Sequence, residues 1–255
     1  MGLIRLGIDI GGSGVKAAPV DVDSGALAAE RIRIETPQPA VPDAVADVVA
    51  EAVAHFDWRE PIGVTYPGVV KHGRVYTAAN VDESWIGVDA AKLFAKVTNC
   101  ETTVLNDADA AGFAELLFGS GKDRGGVIVV ITLGTGIGCA VFNEGVLLPN
   151  TELGHIELNG RDAELTAAAR IRDEQDLSWK KYAKRVSKYL QALDALLWPD
   201  LFIIGGGVSK DADKWLHMVE CRCEIVAAAM HNDAGVIGAA LASAGRHLSA
   251  VSPAR

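Results

Sequence analysis

Leu6-Gly-Ile-Asp9-Ile-Gly-Gly-Ser-Gly-Val-Lys16 is the stretch that decides how this chain folds. An apolar run from Leu3 to Ile10 closes on Gly11-Gly12, and a second run, Val15 to Val20, follows at once. The opening therefore predicts strand, glycine turn, strand, with Leu27 to Ile34 as a third strand. The same device returns at Val127-Ile-Val-Val-Ile-Thr-Leu133, Gly134-Thr-Gly-Ile-Gly138 and Cys139 to Phe142. A shift of 123 residues places Ile8 on Ile131, Asp9 on Thr132 and Gly11 on Gly134, close to half of the 255-residue chain. Two such hairpins, each opening a half, predict a duplicated strand-first domain.

Between the hairpins, Val45, Val48, Val49, Ala52, Val53 and Phe56 recur at i, i+3, i+4, i+7, i+8 and i+11, the spacing of a helix with one buried face. Ile62 to Tyr66 and Thr102 to Leu105 read as strands, and Ala110 to Phe118 as a helix. Beyond the second hairpin come a helix from Ser178 to Leu197, a strand from Leu201 to Ile204, a short strand near Ile225 and a small-residue helix from Gly235 to Ala244. Alternating strands and helices give a mixed α/β chain. The expected division is an N-terminal α/β domain over 1–106 and a larger one over 107–234, with a helix of about 235–250 packing back on the first.

Composition removes several classes of function. Hydrophobic residues make up 49% and charged residues 22%, so the chain can bury a core. The 24 basic and 33 acidic side chains leave a net charge of −9, which repels nucleic acid and anionic membrane surfaces. No run of about 18 apolar residues suggests a membrane span. The N-terminus enters its first strand by Leu3 with no leader-like apolar stretch, so the expected compartment is the cytoplasm. Cys100, Cys139, Cys221 and Cys223 form no disulfide framework, and one C-x-C is a weak zinc signal. The 27 glycines exceed the usual ~7%, and much of the excess lies in three turns.

Asp9, Gly11, Gly12, Ser13 and Lys16 form the first of these. Backbone N–H groups at such a turn can cradle phosphate oxygens, Asp9 can hold hydrated Mg²⁺, and Lys16 can neutralise charge; a plain hairpin is the alternative. Thr132, Gly134, Thr135, Gly136 and Gly138 repeat the device with hydroxyls. Gly205, Gly206 and Gly207 follow a strand and could meet a base or a phosphate, or serve only close packing. Asn106-Asp107 ends a strand, where a carboxylate can act as general base and where a helix cap is the bland alternative. Glu152, His155, Glu157 and Glu164 stand in a polar stretch suited to sugar hydroxyls, although metal ligation or a simple polar loop would use the same residue types. Lys180, Lys181, Lys184, Arg185 and Lys188 fall within an arc of about 140° at 100° per residue. They give an amphipathic helix a cationic face suited to an anion, or merely a solvated one.

LGIDIGGSGVK, LNDADAAG, ITLGTGIG, ELGH and IIGGGVS occur in the order that marks the ROK family of repressors and sugar kinases, within the actin-like ATPase superfamily. The resemblance covers nearly the whole chain, and TYPGVV, TAANVDESWIG, NTELGHIELNGRDAE and LLWPDLFIIGGGVSKDAD are most similar to its polyphosphate-using glucokinase and glucomannokinase branch. It implies two RNase H-like domains flanking an active-site cleft. It also implies a soluble kinase that moves a phosphoryl group from inorganic polyphosphate, or from ATP, to the 6-hydroxyl of glucose or mannose, with Mg²⁺ as cofactor.

In that resemblance Asp107 is the base, and Asn106, Glu152 and His155 are sugar ligands. Glu164 matches a later sugar-binding glutamate, with Glu157 as the competing position. The first two glycine turns match the phosphate motifs, Gly205 to Gly207 match the nucleotide side, and the basic helix face would be a polyphosphate patch. The cysteine cluster that gives many members a zinc site is absent, so no structural zinc is expected. Monomer and homodimer both remain open. An ATP-only hexokinase shares every motif except the basic helix. A sugar-sensing regulator would carry an N-terminal DNA-binding helix-turn-helix, whereas the first strand here begins by Leu3.

Overall fold

The computed structural model describes residues 2–79 and 81–246. The chain divides into two compact units, one built from 1–114 together with a C-terminal segment beginning at Asp233, the other from 115–232.

In the first unit the elements run β1 (Ile4–Ile10), β2 (Val15–Asp21), β3 (Ile32–Ile34), α1 (Pro42–His55), β4 (Ile62–Tyr66), β5 (Val70–Lys71), β6 (Arg74–Val75), α2 (Ala90–Thr98), β7 (Thr102–Asn106) and α3 (Asp107–Phe118). The second unit carries β8 (Val127–Leu133), β9 (Ile137–Asn143), β10 (Val146–Leu148), β11 (Glu157–Leu158), β12 (Arg161–Asp162), α4 (Glu164–Ala167), α5 (Ala169–Glu174), α6 (Trp179–Leu197), β13 (Leu201–Gly205), α7 (Ala212–Trp215) and β14 (Glu224–Ala227). The chain then returns to the first unit with α8 (Ala234–Ser243).

Each unit holds one five-stranded sheet, and the two sheets share a strand order: β3-β2-β1-β4-β7 and β10-β9-β8-β13-β14. In both, a hairpin opens the unit and two parallel strands extend it. The duplication seen in two hairpins thus extends to whole sheets. The hairpins differ at the turn. Ile10 pairs with Val15, but Leu133 pairs with Ile137, so the second turn is one residue shorter.

The first sheet buries Leu6, Ile8, Val64, Tyr66 and Trp85 against α1 and α2, and its other face takes α8 at unusually short range. A Cβ on Gly63 would lie 1.7 Å from the Ala239 carbonyl oxygen, and one on Gly7 would lie 1.9 Å from that of Val236. Small residues therefore line both sides of this contact. The second sheet buries Val129, Ile131, Phe202 and Ile204 with Tyr182, Tyr189 and Leu190 of α6.

Two expectations differ from what the structure shows. The third strand is only Ile32–Ile34, joined upstream by a single bridge between Val20 and Leu27. Pro19 of β2 accepts from Ala28 N–H at 2.8 Å but has no N–H to return, which stops the ladder there. The division of the chain falls inside α3, after Ala114, rather than before Asp107, because Ala110 packs under Gly238 of α8. At the far end of α3 the buried Glu115 accepts from the N–H groups of Ser120, Ala229 and Met230, tying that end to the second unit's own backbone.

Candidate active site

In the first unit, Asp9 is the last residue but one of β1 and pairs in register with Lys16 of β2. Lys16 Nζ donates to Asp9 Oδ2 at 3.0 Å, and Thr65 Oγ1 donates to Asp9 Oδ1 at 2.9 Å. The Thr65 hydroxyl in turn accepts from Ile10 N–H at 3.1 Å, so one buried side chain of β4 fixes both the carboxylate and the strand end. The adjoining turn is braced through its carbonyls. Thr36 donates to Gly11 O at 2.5 Å, Gln38 to Gly12 O at 3.3 Å, Arg33 to Ser13 O at 2.5 Å, and Gly11 N–H to Gly14 O at 3.1 Å. Arg33 is also the register partner of Lys16, which puts two cations side by side at this turn.

At the end of β7, Asn106 is buried; its Nδ2 donates to Gly68 O at 3.1 Å and its Oδ1 accepts from Asp109 N–H at 3.0 Å. Asn106 is thus the N-cap of α3, as its residue type permits. Asp107, the first residue of that helix, is half-buried and accepts from Ala108 N–H at 2.8 Å. A carboxylate in the first turn is favoured by the helix dipole.

In the second unit the polar stretch converges on the second glycine turn. His155 Nδ1 lies 2.8 Å from Asp162 Oδ2, and Asp162 Oδ1 accepts from Glu164 N–H at 2.8 Å. The Glu164 carboxylate accepts from Ile137 N–H at 2.8 Å, and Arg170 lies 3.7 Å from its other oxygen. Arg170 N–H holds Gly134 O at 3.1 Å. Glu152 Oε2 is 3.8 Å from His155 Nε2. Burial holds the Glu152 carboxyl above its usual pKa, partly offset by His155, while the bond to Asp162 raises that of His155. Glu157 stays exposed on β11, where its backbone is the register partner of Asp162.

Thr132 is the last residue but one of β8, as Asp9 is of β1, and Gly138 faces it. Gly134 and Thr135, with Gly207, Val208, Arg170, Arg172, Asp173, Trp179 and Asp211, line a pocket of about 320 Å³ inside this unit. Of the third glycine run, Gly206 has φ +82° and a Cβ there would strike Leu133 backbone at 2.3 Å, so its role is close packing. Gly207 has open space above it. On α6, Lys180, Lys181, Lys184 and Lys188 are exposed. Arg185 departs from that face: half-buried, it donates to Thr166 O at 3.3 Å and to Gln175 Oε1 at 2.8 Å, which pins α6 to the segment carrying α4 and α5.

Thr65, Arg33, Asp162, Arg170, Arg172 and Trp179 join these sites without having stood out in the sequence. Thr65 and Asp162 lie in stretches that were legible, TYPG and the polar run after ELGH; the three arginines meet the glycine turns only after folding.

Residues 5–169 match the ROK family. The chain is 53% identical over 238 residues to the polyphosphate glucokinase of Mycobacterium tuberculosis (strain CDC 1551 / Oshkosh), covering 93% of this chain and 90% of that one. It superposes on the crystal structure of the inorganic polyphosphate/ATP-glucomannokinase from Arthrobacter sp. strain KM with a TM-score of 0.93 and 45% identity, over 96% of this chain and 99% of the other. A ROK family glucokinase from Streptomyces griseus, solved with glucose and AMPPNP, shares the fold with a TM-score of 0.80 at 24% identity, over 93% and 98% of the two chains. A shared family pattern across more than half the sequence, together with these likenesses, places the chain in the ROK family.

Proposed function

We propose that the protein transfers the terminal phosphoryl group of inorganic polyphosphate, with ATP as an alternative donor, to the 6-hydroxyl of glucose, and that mannose is a second acceptor. The observation that carries this reading is the 53% identity over 93% of the chain to a polyphosphate glucokinase. The likeness to a polyphosphate/ATP-glucomannokinase supports both donors and both sugars.

Asp107 accepts the proton of the 6-hydroxyl as that oxygen attacks the terminal phosphorus; the new O–P bond forms while the bond to the rest of the donor breaks, and the shortened chain leaves with the electron pair. Such transfer depends mainly on positioning and charge stabilisation. Asn106, Glu152, His155 and Glu164 hold the sugar. Glu164 is preferred over Glu157 because Asp162 joins it to His155 in one hydrogen-bonded cluster, whereas Glu157 is an exposed residue of β11. The turns at Gly11 to Ser13 and Gly134 to Gly136 receive phosphate oxygens, and Lys16 offsets their charge.

A divalent cation fits the chemistry of Asp9. Each of its carboxylate oxygens accepts one hydrogen bond and keeps capacity for a metal-bound water. Among the described residues no group of three or more His, Cys, Asp or Glu side chains is gathered for direct ligation, the pattern suited to an ion carried by water and phosphate oxygens. Mg²⁺ bound there would spread the negative charge of the reacting phosphates. We place the protein in the cytoplasm. Among the described residues no helix is long and apolar enough to cross a membrane, and no disulfide joins the cysteines.

The acceptor side is tested with 6-deoxyglucose. It should inhibit glucose phosphorylation competitively and yield no phosphorylated product; a phosphorylated 6-deoxyglucose would place the transfer on another hydroxyl.

A further inference from the structure

The pocket of the second unit, which on the polyphosphate reading receives the donor, has a guanidinium lying over its aromatic side chain. Trp179 is the aromatic residue among those lining the pocket, beside Gly134, Thr135 and Gly207. Its indole is half-buried, parallel within 10° to Trp215 at 6.4 Å and edge-on to Tyr182. The Arg172 guanidinium lies 3.7 Å from the indole centroid and so covers a face of the ring. Asp173 holds it there, accepting from Arg172 Nη1 at 2.6 Å. The side chain is 28% exposed, so the cover is reachable and displaceable. Gly134 and Thr135 themselves line this pocket, so on the donor reading a group attached to a phosphate seated on that turn would have this space beside it. A base that stacks on the indole would have to displace Arg172, losing a cation–π contact and disturbing a charged pair. A donor made only of phosphates has no such requirement.

We propose that Arg172, held over Trp179 by Asp173, is a specificity residue that biases this site toward a base-free phosphate donor and against a nucleoside triphosphate. The inference rests on the donor reading above and goes beyond it, since that reading leaves the two donors unranked.

The test uses the full-length protein and its Arg172→Ala and Asp173→Asn variants, with glucose and Mg²⁺, and with either polyphosphate or ATP as donor. Uncovering the indole should raise the ratio of kcat/KM for ATP to that for polyphosphate at least about fivefold in Arg172→Ala, the lower end of what base–aromatic stacking supplies. The change should sit mainly in the KM for ATP. Asp173→Asn, which loosens the tether without removing the guanidinium, should move the ratio the same way by less. An unchanged ratio overturns the proposal. Equal losses with both donors also overturn it, because Arg172 would then serve the phosphates common to the two. Should the wild type make no product from polyphosphate, the donor reading fails on its own. Arg172 is then judged by ATP affinity, read as quenching of tryptophan fluorescence: tighter ATP binding by Arg172→Ala supports the cover, and unchanged or weaker binding rejects it.

Discussion

Lys16 and Asp9 face each other across the β1–β2 ladder with Nζ and Oδ2 3.0 Å apart, so the carboxylate proposed for the metal ion positions the ammonium proposed for the phosphate. Thr65 completes the arrangement from β4. Lys16→Ala should therefore lower kcat/KM for polyphosphate and ATP alike by about 10- to 100-fold, the worth of a charge-assisted hydrogen bond, while the KM for glucose stays within about twofold. Thr65→Val keeps the shape but leaves Ile10 N–H without its acceptor, and should cost about 1–3 kcal/mol in urea unfolding. A Lys16→Ala enzyme with unaltered donor kinetics would remove this pair from the phosphate site.

Asp107 starts α3 while its neighbour Asn106 caps it, so the proposed base and the cap are separate side chains. Asp107→Asn should preserve the helix and glucose binding, seen by isothermal titration, yet cut turnover by about 10²–10⁴-fold, the usual worth of a general base. Retained turnover would assign the proton to another group.

The sheets were legible because each opens on an apolar strand that runs into glycine, a pattern strong enough to repeat at a fixed offset. The one-residue difference in the second turn was not, because a shift that aligns β1 with β8 says nothing about where β9 begins. Helix α2 was not among the expected elements, although Ala90, Leu93, Phe94 and Val97 stand at i, i+3, i+4 and i+7 behind the Asp89 cap. The His155–Asp162 bond was hidden, since β11 and β12 have two residues each and show no periodicity. Arg185 fell on the cationic arc of α6 by angle alone; only the packing of Thr166 and Gln175 beside it turns it inward.

His155 gives a pH dependence of definite sign. Its bond to Asp162 raises its pKa in the folded state, with the charges of Asp162, Glu164 and Glu152 acting the same way against burial. A folded-state pKa above the unfolded value means that the stabilisation is fully present below about pH 6.5 and fades as pH rises through the folded value. Glu152, whose carboxyl is raised by burial, also favours the protonated form when folded and so has the same sign at lower pH. The Tm difference between wild type and Asp162→Asn should be largest near pH 6 and shrink toward pH 9. A difference that grows with pH would contradict the pairing.

The exposed lysines of α6 offer a charge-based test. Replacing Lys180, Lys181, Lys184 and Lys188 by glutamine leaves the buried face of the helix intact, so thermal stability should change little. Polyphosphate KM should rise several-fold and lose much of its salt dependence, because fewer counterions are exchanged when the polyanion binds. ATP, a short anion, should be affected less. Equal effects on both donors would make the face a general electrostatic feature.

The central claim is tested most directly by giving the purified wild-type protein glucose, Mg²⁺ and nucleotide-free polyphosphate, and following glucose 6-phosphate through a coupled dehydrogenase. The account predicts steady formation of glucose 6-phosphate, with one phosphoryl unit lost from the polymer per sugar phosphorylated. No glucose 6-phosphate with polyphosphate, under conditions in which ATP supports turnover, would contradict it.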